Sequence, residues 1–250
     1  MAIVLVTGGT GRLGQVLVPN LVARGHDVRV LSRRAGDRRA VGDLATGSGL
    51  AAAVDGVQAV VHAATSRHMQ KVDVQGTARL VAAARAAGVE HLIYVSIVGV
   101  DRNPFGYYAA KLAAEQAIAR SGLAFTLARG TQFHTLVAGV VRRMRLGPVP
   151  FAPAGWQVQP NDHAEFARQL AARVDAGPAG TVTEFGGPEV GTFAEFAAFW
   201  HRAHGRPRRV REIPVPGKAS AAFRGGAQVC GADAARGEVT FGEWLQQHPA

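Results

Sequence analysis

The chain is poor in cysteine and in charge, and each shortage excludes a class of protein. One cysteine, Cys230, cannot form an internal disulfide, so we expect a reducing, cytoplasmic setting. Charged residues make up 18% and apolar residues 48% of the 250, which excludes a disordered chain. No apolar run reaches the roughly 18–20 residues of a bilayer crossing. The opening MAIVLV lacks a basic lead-in, which predicts a first strand rather than a signal peptide.

The net charge of +10 comes from 25 arginines and three lysines set against 18 acidic residues. Arginines cluster at 33–39, 142–145 and 206–211, but aromatic side chains do not alternate with them, and no zinc-finger or RNA-binding signature is present. We therefore expect no nucleic acid partner. A phosphate group on a small molecule accounts better for this charge.

Apolar strand-like runs alternate with amphipathic helices through the first 130 residues. Strands are predicted over 2–7, 28–31, 39–43, 57–64, 91–96 and 125–129, and helices over 11–25 and 71–87. The strands are nearly continuous apolar runs, which is typical of a parallel sheet that helices cover on both faces. Right-handed crossovers then predict an α/β fold with a doubly wound, Rossmann-type sheet.

Glycine, proline and arginine become denser after about residue 130. Two helices, over 161–174 and 192–204, and short strands at 181–185 and 209–215 are predicted there. We expect residues 1–130 to form the Rossmann core. Residues 131–250 should form a smaller C-terminal annex, not an independent domain.

The motif TGGTGRLG, residues 7–14, follows the first predicted strand and opens the first helix. Gly8 permits a tight turn, Gly11 lets the backbone approach a pyrophosphate, and Gly14 lets the helix pack closely on the sheet. The N–H groups and the dipole at the helix start then face the negative charge. Strand, glycine turn and helix in this order predict a dinucleotide site rather than an ordinary turn.

The end of the second strand, Leu31-Ser32-Arg33-Arg34, distinguishes between two dinucleotides. An NAD site usually carries an acidic residue there for the ribose hydroxyls, and that carboxylate would repel a 2′-phosphate. A serine hydroxyl and two guanidinium groups bind such a phosphate instead, with Arg12 as a third positive group. The sequence therefore predicts NADP(H), against the alternative that both arginines are merely solvated.

Two further strand ends offer contacts to the nucleotide. Asp43 follows the short third strand, where it either accepts a hydrogen bond from the adenine amino group or forms a turn. Ala63 and Ala64 follow the fourth apolar run, and their small side chains would let a cofactor lie flat against the sheet.

The segments TGGTGRLG, LSRR, GDL, VVHAAT, GTARLVAAARAAGVEHLIYVSIVGVD and YYAAKLAAEQAIARSGLAFTLARGTQFH resemble an atypical short-chain dehydrogenase/reductase. More narrowly, they are similar to the NmrA-like, NAD(P)H-binding reductases of actinobacterial type. The similarity covers nearly the whole chain. It implies an NADPH-dependent oxidoreductase with a substrate-binding C-terminal part, and it is less specific for the substrate than for fold and cofactor.

The resemblance implies a catalytic set of Tyr107, Lys111 and Ser96. Tyr107 and Lys111 are spaced i, i+4, so they share one face of a helix. A lysine ammonium near a phenol lowers the phenol's pKa and holds the nicotinamide ribose, and the tyrosine delivers a proton as hydride arrives. Ser96, at the end of the fifth strand, either orients a substrate carbonyl or caps the following turn. Tyr108 is an alternative donor.

Two positions depart from the related enzymes. Asp73 stands where they commonly have an asparagine, and it would keep a structural hydrogen bond without relaying protons in the same way. Arg129-Gly130 replaces the usual Arg-Pro after the sixth strand, and the side chains that follow should border the nicotinamide and the substrate. His134 is another alternative acid, and Trp156 is either a lid over the substrate or part of the annex core.

These observations define the predicted site. The predicted cofactor contacts are Thr7, Gly8, Thr10, Gly11, Arg12, Leu13, Ser32, Arg33, Arg34, Asp43, Leu44, Ala63, Ala64, Lys111 and Gly130. The predicted substrate contacts are Gln132, Phe133, His134 and Trp156. No metal is expected, because His201 and His204 have no nearby carboxylate or cysteine to complete three ligands.

Three functions fit this sequence. The first is an NADPH-dependent reductase of a small carbonyl, quinone or enone compound. The second is a redox-sensing NADP(H) binder without turnover, and the third is an isomerase or cyclase on the same scaffold. The cofactor motif and the pair of Tyr107 and Lys111 favour the reductase. We expect a small-molecule substrate, no membrane partner, and either a monomer or a homodimer.

Overall fold

The computed structural model describes residues 1–66, 69–146, 149–205 and 208–248. Arg206, the first residue of the arginine cluster at 206–211, lies outside the described residues. The strands, in chain order, are β1 Ile3–Thr7, β2 Asp27–Ser32, β3 Arg39–Val41, β4 Ala59–His62, β5 His91–Ile97, β6 Phe125–Gly130, β7 Arg145–Leu146, β8 Val149–Pro153, β9 Gln157–Val158, β10 Val182–Gly186, β11 Gly191–Thr192, β12 Arg211–Ile213 and β13 Ala235–Arg236.

The helices occur between these strands in the order that the sequence predicts for an α/β fold. They are α1 Arg12–Ala23, α2 Leu50–Val54, α3 Gln75–Ala86, α4 Gly106–Ala119, α5 His134–Arg143, α6 His163–Ala176, α7 Phe193–Ala203, α8 Lys218–Arg224 and α9 Phe241–Gln247. A π-helical turn, Gln70–Val74, precedes α3. The helix predicted over 71–87 is therefore present, but its first turn is π-helical, because apolar spacing does not distinguish i→i+5 hydrogen bonds from i→i+4 bonds.

Eight strands form one sheet in the order β13-β10-β6-β5-β4-β1-β2-β3. The pairs β1–β2, β1–β4, β2–β3, β4–β5 and β10–β13 are all parallel. The chain winds outward from β1 to β3 and then returns to β4 on the other side of β1. Helices flank the sheet, which confirms the predicted doubly wound, Rossmann-type fold. Such a reversal opens a crevice at the carboxyl ends of the strands.

The chain forms two compact units that alternate along the sequence. Unit 1 consists of Met1–Ser96, Ala109–Arg129 and Phe166–Thr183, and unit 2 consists of Ile97–Tyr108, Gly130–Glu165 and Glu184–Ala250.

Unit 1 has the core that the apolar strands predict. Val4, Leu5 and Val6 of β1 are completely buried, and α1 buries Leu17 and Leu21. Alternate side chains of a strand point to opposite faces, so a strand buried along its whole length has both faces covered. Full burial of each such side chain contributes roughly 1.5–3 kcal/mol.

Unit 2 has a core of its own, in which the aromatic side chains of α7 and α9 pack with the apolar face of α5. Both helices begin with the same sequence pattern, Thr-Phe-x-Glu. At α7 the Thr192 hydroxyl accepts from the Glu195 amide at 3.2 Å, and Glu195 accepts from the Thr192 amide at 2.7 Å. Thr240 and Glu243 repeat this capping box at α9. Two N–H groups of each helix start are thereby satisfied by side chains of the chain itself.

The helices in the described ranges include none with the length and apolarity of a membrane span. The same ranges contain no group of three or more histidine, cysteine, aspartate or glutamate residues placed to hold a metal ion.

A close approach of backbone to backbone fixes the start of α1. A Cβ atom added to Gly14 would overlap the carbonyl oxygen of Gly8 and the Cα atom of Gly9. Only glycine at position 14 therefore lets the helix pack this closely on the loop before it.

The Gly14→Ala variant should lose about 1–3 kcal/mol of unfolding free energy, since the methyl group forces loop and helix apart. Gly139, in α5, is the matched control, because a Cβ there meets nothing within 4 Å. Gly139→Ala should gain up to about 1 kcal/mol from helix propensity. Urea unfolding of the two variants measures both changes. Equal changes in the free energy of unfolding would contradict the close packing of α1.

A buried polar chain joins β1, β4 and α3 within unit 1. His62 Nδ1 lies 2.6 Å from Thr7 Oγ1, and His62 Nε2 lies 2.9 Å from Thr77 Oγ1. Because Thr77 Oγ1 donates to the carbonyl of Asp73, it accepts from Nε2–H, and Thr7 donates to Nδ1. Burial, with a smaller effect of the Lys111 charge, lowers the pKa of His62 to about 3.

This histidine makes stability depend on pH. Its pKa is about 3 in the folded chain and 6.5 as an ordinary value, so its stabilising contribution is complete above pH 6.5 and is lost as pH falls toward 3. His62→Gln should therefore show a smaller loss of unfolding free energy between about pH 7 and about pH 5 than the parent chain. Nitrogen NMR of the histidine rings checks the cause. A His62 ring that is protonated at about pH 5 in the folded chain would refute it.

Candidate functional site

A cleft of about 1000 Å³ lies in unit 1, at the carboxyl ends of the strands around β1. Its walls come from the loop after β1, the end of β2, the segment that includes β3, and the segment after β4. The lining residues are Gly8, Thr10, Leu31, Ser32, Arg33, Arg34, Arg39, Gly42, Asp43, Leu44, Ala45, Ala64, Thr65, Ser66, Lys71 and Val72. The cleft therefore lies at the switch point of the sheet, where open α/β folds bind ligands.

The glycine loop turns sharply between β1 and α1. The amide of Gly11 donates to the carbonyl of Gly8 at 2.9 Å, and Gly8 has a φ of +71°. A Cβ at Gly8 would lie 2.7 Å from the carbonyl oxygen of Ala63, so the loop passes against the end of β4 without a side chain. Gly11, the N-cap of α1, offers no side-chain hydrogen bond to the first turn. That turn is thus free of a side-chain cap that would compete with an anion.

Positive charge is concentrated where β2 ends. Arg33, Arg34 and Arg39 all line the cleft, and the end of β2 carries no carboxylate. The Ser32 hydroxyl accepts from the amide of Arg34 at 3.1 Å, which fixes the turn that presents both guanidinium groups. Arg39 reaches the cleft because β3 pairs in parallel with β2, with Arg39 opposite Val30.

Asp43 lines the cleft and forms a turn there. Its Oδ1 accepts from the amide of Ala45 at 2.9 Å. The predicted contact of Asp43 with the adenine amino group stays a prediction. Leu44 and Ala64 add apolar surface to the same cleft.

The structure brings eight of the predicted cofactor contacts together in the cleft walls. They are Gly8, Thr10, Ser32, Arg33, Arg34, Asp43, Leu44 and Ala64. The others lie outside the lining. Thr7, Leu13, Lys111 and Gly130 are buried, Ala63 is half-buried, and Gly11 and Arg12 are exposed.

Sequence patterns missed several residues of the cleft. These are Leu31, Arg39, Gly42, Ala45, Thr65, Ser66, Lys71 and Val72. Most of them border the predicted motifs, so a wider window at each strand end would have included them. Lys71 and Val72 belong to the π-helical turn, whose wider path could not be foreseen from apolar spacing.

The described residues of unit 1 fit a dinucleotide with an additional phosphate. The glycine loop allows backbone approach, the first turn of α1 lacks a side-chain cap, and three arginines lie on one wall of the cleft. This set would hold a pyrophosphate at the helix start and a 2′-phosphate at the arginines.

Lys111 of α4 is buried beside the end of β5. Its Nζ donates to the carbonyl of Val95 at 3.0 Å and lies 3.8 Å from Asp73 Oδ1 and 4.7 Å from the centre of the Tyr94 ring. Burial lowers the pKa of this ammonium to about 8, against the opposing effect of the carboxylates of Asp73 and Glu115. The hydroxyl of Ser96 is buried and has no hydrogen-bond partner among the residues described.

The two neighbouring tyrosines of α4 differ in burial. Tyr108 is buried, and burial raises the pKa of its phenol to about 12. Tyr107 is half-buried, with its ring centre 6.4 Å from that of Tyr108. A phenol with a raised pKa gives up its proton less readily, so burial makes Tyr108 a weaker acid than an ordinary tyrosine.

The predicted substrate residues occupy different environments within unit 2. His134 is completely buried, its Nε2 lies 3.0 Å from the carbonyl oxygen of Val239, and its ring stacks on Trp244. We therefore correct the expectation that His134 serves as an alternative acid, because a core position gives it no access to a substrate. The ring of Phe133, a predicted substrate contact, stacks on the ring of His163 with 3.8 Å between the ring centres, so one of its faces is already covered.

Trp156 packs within unit 2 and remains partly exposed. Its ring stacks on Phe223 at 4.3 Å, and its Nε1 donates to the Ser220 hydroxyl at 2.8 Å, so it is fixed by packing. It is nevertheless only half-buried. Gln132 is also half-buried, and its Oε1 accepts from the amide of Gln159 at 3.1 Å.

Comparison with known proteins agrees with this site. A family model described as NAD(P)H-binding matches residues 8–171. A reductase of (4-alkanoyl-5-oxo-2,5-dihydrofuran-3-yl)methyl phosphate from Streptomyces griseus is 33% identical over 231 residues, which cover 85% of this chain and 77% of the relative. Quinone oxidoreductase 2 of Escherichia coli is 25% identical over 209 residues, covering 78% and 72%. The chain spans less than half the length of three other curated relatives that it matches.

Solved structures show the same fold. An NADPH-dependent quinone oxidoreductase from Escherichia coli, in complex with NADPH, superposes with a TM-score of 0.84 at 20% identity, covering 98% of this chain and 99% of that one. A triphenylmethane reductase from a Citrobacter species, in complex with NADP(H), superposes with a TM-score of 0.80 at 19% identity, covering 98% and 99%. The chain belongs to the NAD(P)H-binding family, as its resemblance to NmrA-like reductases predicted.

Proposed function

We propose that the protein is an NADPH-dependent reductase of the short-chain dehydrogenase/reductase type that acts on a small carbonyl, quinone or enone compound. The observation that carries this proposal is the cleft of unit 1, where arginines replace the acidic residue of an NAD site. The relatives from Streptomyces griseus and Escherichia coli, named as reductase and quinone oxidoreductase, support the reaction class.

The preference for NADPH follows from charge at the end of β2. Guanidinium groups form paired, charge-assisted hydrogen bonds with phosphate oxygens, and three of them line one wall. Each such bond contributes roughly 1.5–3 kcal/mol, which is enough to separate two cofactors that differ by one phosphate.

A reduced dinucleotide held by the glycine loop and the arginines of the cleft would supply a hydride for a carbon of the substrate. Tyr107 gives a proton to the substrate oxygen, so that a carbonyl becomes an alcohol, and the phenol is later reprotonated from solvent. Lys111, one helical turn further along α4, supplies the positive charge that stabilises the phenolate and binds the ribose. The buried hydroxyl of Ser96, which has no partner among the described residues, orients the oxygen.

The substrate and the setting are also part of the proposal. We propose that Gln132 and Trp156, both half-buried in unit 2, contact the substrate, so that residues 131–250 chiefly select the substrate and residues 1–130 hold the cofactor. Cys230 is a buried free thiol, which suits a reducing cytoplasm.

Replacing Arg33 and Arg34 together by alanine should raise the Kd for NADPH by about 10- to 100-fold and change the Kd for NADH by about twofold or less. The control is the double change Arg85→Ala and Arg120→Ala, which removes the same charge from exposed positions of unit 1 outside the cleft. Calorimetric titration measures the Kd values of both double variants and of the parent chain for NADPH and for NADH. Equal weakening for both cofactors would contradict the assigned 2′-phosphate contact.

Tyr107→Phe should leave the Kd for NADPH unchanged and lower kcat by a factor on the order of 10², because only the transferable proton is removed. Tyr108→Phe is the matched variant and should keep most of the turnover. NADPH consumption with a panel of quinones and carbonyl compounds measures both. Undiminished turnover of Tyr107→Phe, or a larger loss in Tyr108→Phe, would argue against Tyr107 as the donor.

A further inference from the structure

Asp73 occupies an unusual position for a carboxylate. It is completely buried in the π-helical turn before α3. Its Oδ2 accepts from the amide of Ser66 at 3.1 Å, whereas its Oδ1 has no hydrogen-bond partner in the described part of the chain. A buried carboxylate oxygen without a hydrogen bond is costly, so a nearby positive charge has to compensate for it.

Lys111 is the cation that faces this oxygen. Its Nζ lies 3.8 Å from Asp73 Oδ1, and only about 4% of its side chain is exposed. At this separation and depth the attraction between opposite charges is not screened by water as it is at a surface. The carboxylate of Asp73 therefore stabilises the charged form of Lys111 inside unit 1.

The second carboxylate near Lys111, that of Glu115, is paired with another cation. Glu115, one turn further along α4, receives two hydrogen bonds from Arg129 of β6, from Nε at 3.0 Å and from Nη2 at 2.7 Å. This bidentate pair is itself buried, so the charge of Glu115 is balanced by a guanidinium group. Among the described residues of the sheet, the neutral ring of His62, the ring of Tyr94 and the carbonyl of Val95 lie near Lys111.

We propose that Asp73 is a positioning residue whose carboxylate is the counter-ion that keeps the buried ammonium of Lys111 charged at neutral pH. The same carboxylate holds Ser66, which lines the cleft, through its other oxygen. Asp73 thus links the charge state of Lys111 to the position of the segment after β4. The use of that charge in catalysis rests on the proposed function, whereas the charge state itself does not.

The Asp73→Asn variant removes the negative charge of the side chain and keeps its size and shape. An asparagine can present the same oxygen to the amide of Ser66, but it carries no negative charge. Without that charge, only the carboxylate of Glu115 opposes the effect of burial, so the pKa of the Lys111 ammonium should fall further below the value of about 8 in the parent chain. The ratio of charged to neutral Lys111 at about pH 8 should drop at least about tenfold.

Carbon NMR of lysine-labelled protein without cofactor measures the ratio of charged to neutral Lys111 directly. The chain has three lysines, so the signals are few, and Lys111→Met assigns the one from Lys111. Asp55→Asn is the control, since it removes the same charge from an exposed position of unit 1. The proposal requires the pKa of Lys111 to be lower in Asp73→Asn than in the parent chain and to be unchanged in Asp55→Asn. A Lys111 titration that Asp73→Asn leaves unchanged overturns it.

A failure of Asp73→Asn to fold is also informative. If the cause is an ammonium buried without its counter-ion, the double variant Asp73→Asn with Lys111→Met should regain a folded state with cooperative thermal unfolding. A double variant that remains unfolded overturns the proposal, because the loss of folding would then not come from an ammonium buried without its counter-ion.

The pH dependence of turnover distinguishes a counter-ion role from a merely structural one, because a structural role would not change the shape of the pH profile. In Asp73→Asn the alkaline limb of kcat/KM should shift to lower pH, with near-parental values on the acid side. A uniform loss at every pH would assign Asp73 to packing alone and overturn the proposal. If the NMR titration shifts but no substrate is reduced by the parent chain, the counter-ion role stands and the proposed reductase activity fails.

Discussion

The passage of the glycine loop against the end of β4 is the constraint on which the rest of the site depends. Parallel pairing of β1 with both β2 and β4 places the loop between two strand ends, and Gly8 has no side chain to hold the carbonyl of Ala63 away. Because the loop can pass this close to the strand end, α1 begins close to the sheet, directly after the loop residues Gly8 and Thr10 that line the cleft. The polar chain through Thr7 and His62 then fixes the two strand ends to each other.

Charge in unit 1 is distributed according to burial. The arginines at the end of β2 are exposed, where charge attracts a phosphate at little desolvation cost. Lys111 and Asp73 are buried, and their charged groups lie 3.8 Å apart, where water screens the attraction between opposite charges only weakly. The exposed arginines therefore present their charge to the cleft, whereas the buried pair lies inside the fold of unit 1.

The sequence predicted those features that depend on local order along the chain. Apolar runs located the strands of unit 1, and the glycine motif located the loop, because both signals are contiguous. Arg39 and Ser66 were missed, since their place in the cleft depends on which strands pair and on how the chain leaves β4. The error at His134 has the same origin. Its position after β6 is visible in the sequence, but its burial against Trp244, more than a hundred residues later, is not.

The central claim is that the exposed arginines and the uncapped helix start bind a dinucleotide with a 2′-phosphate. Calorimetric titration of the unaltered protein with NADPH and with NADH, at low and at high salt, tests it most directly. We predict that NADPH binds more tightly, and that salt narrows the difference because it screens the guanidinium groups. Absence of heat with both coenzymes, or a difference that does not respond to salt, would contradict the account.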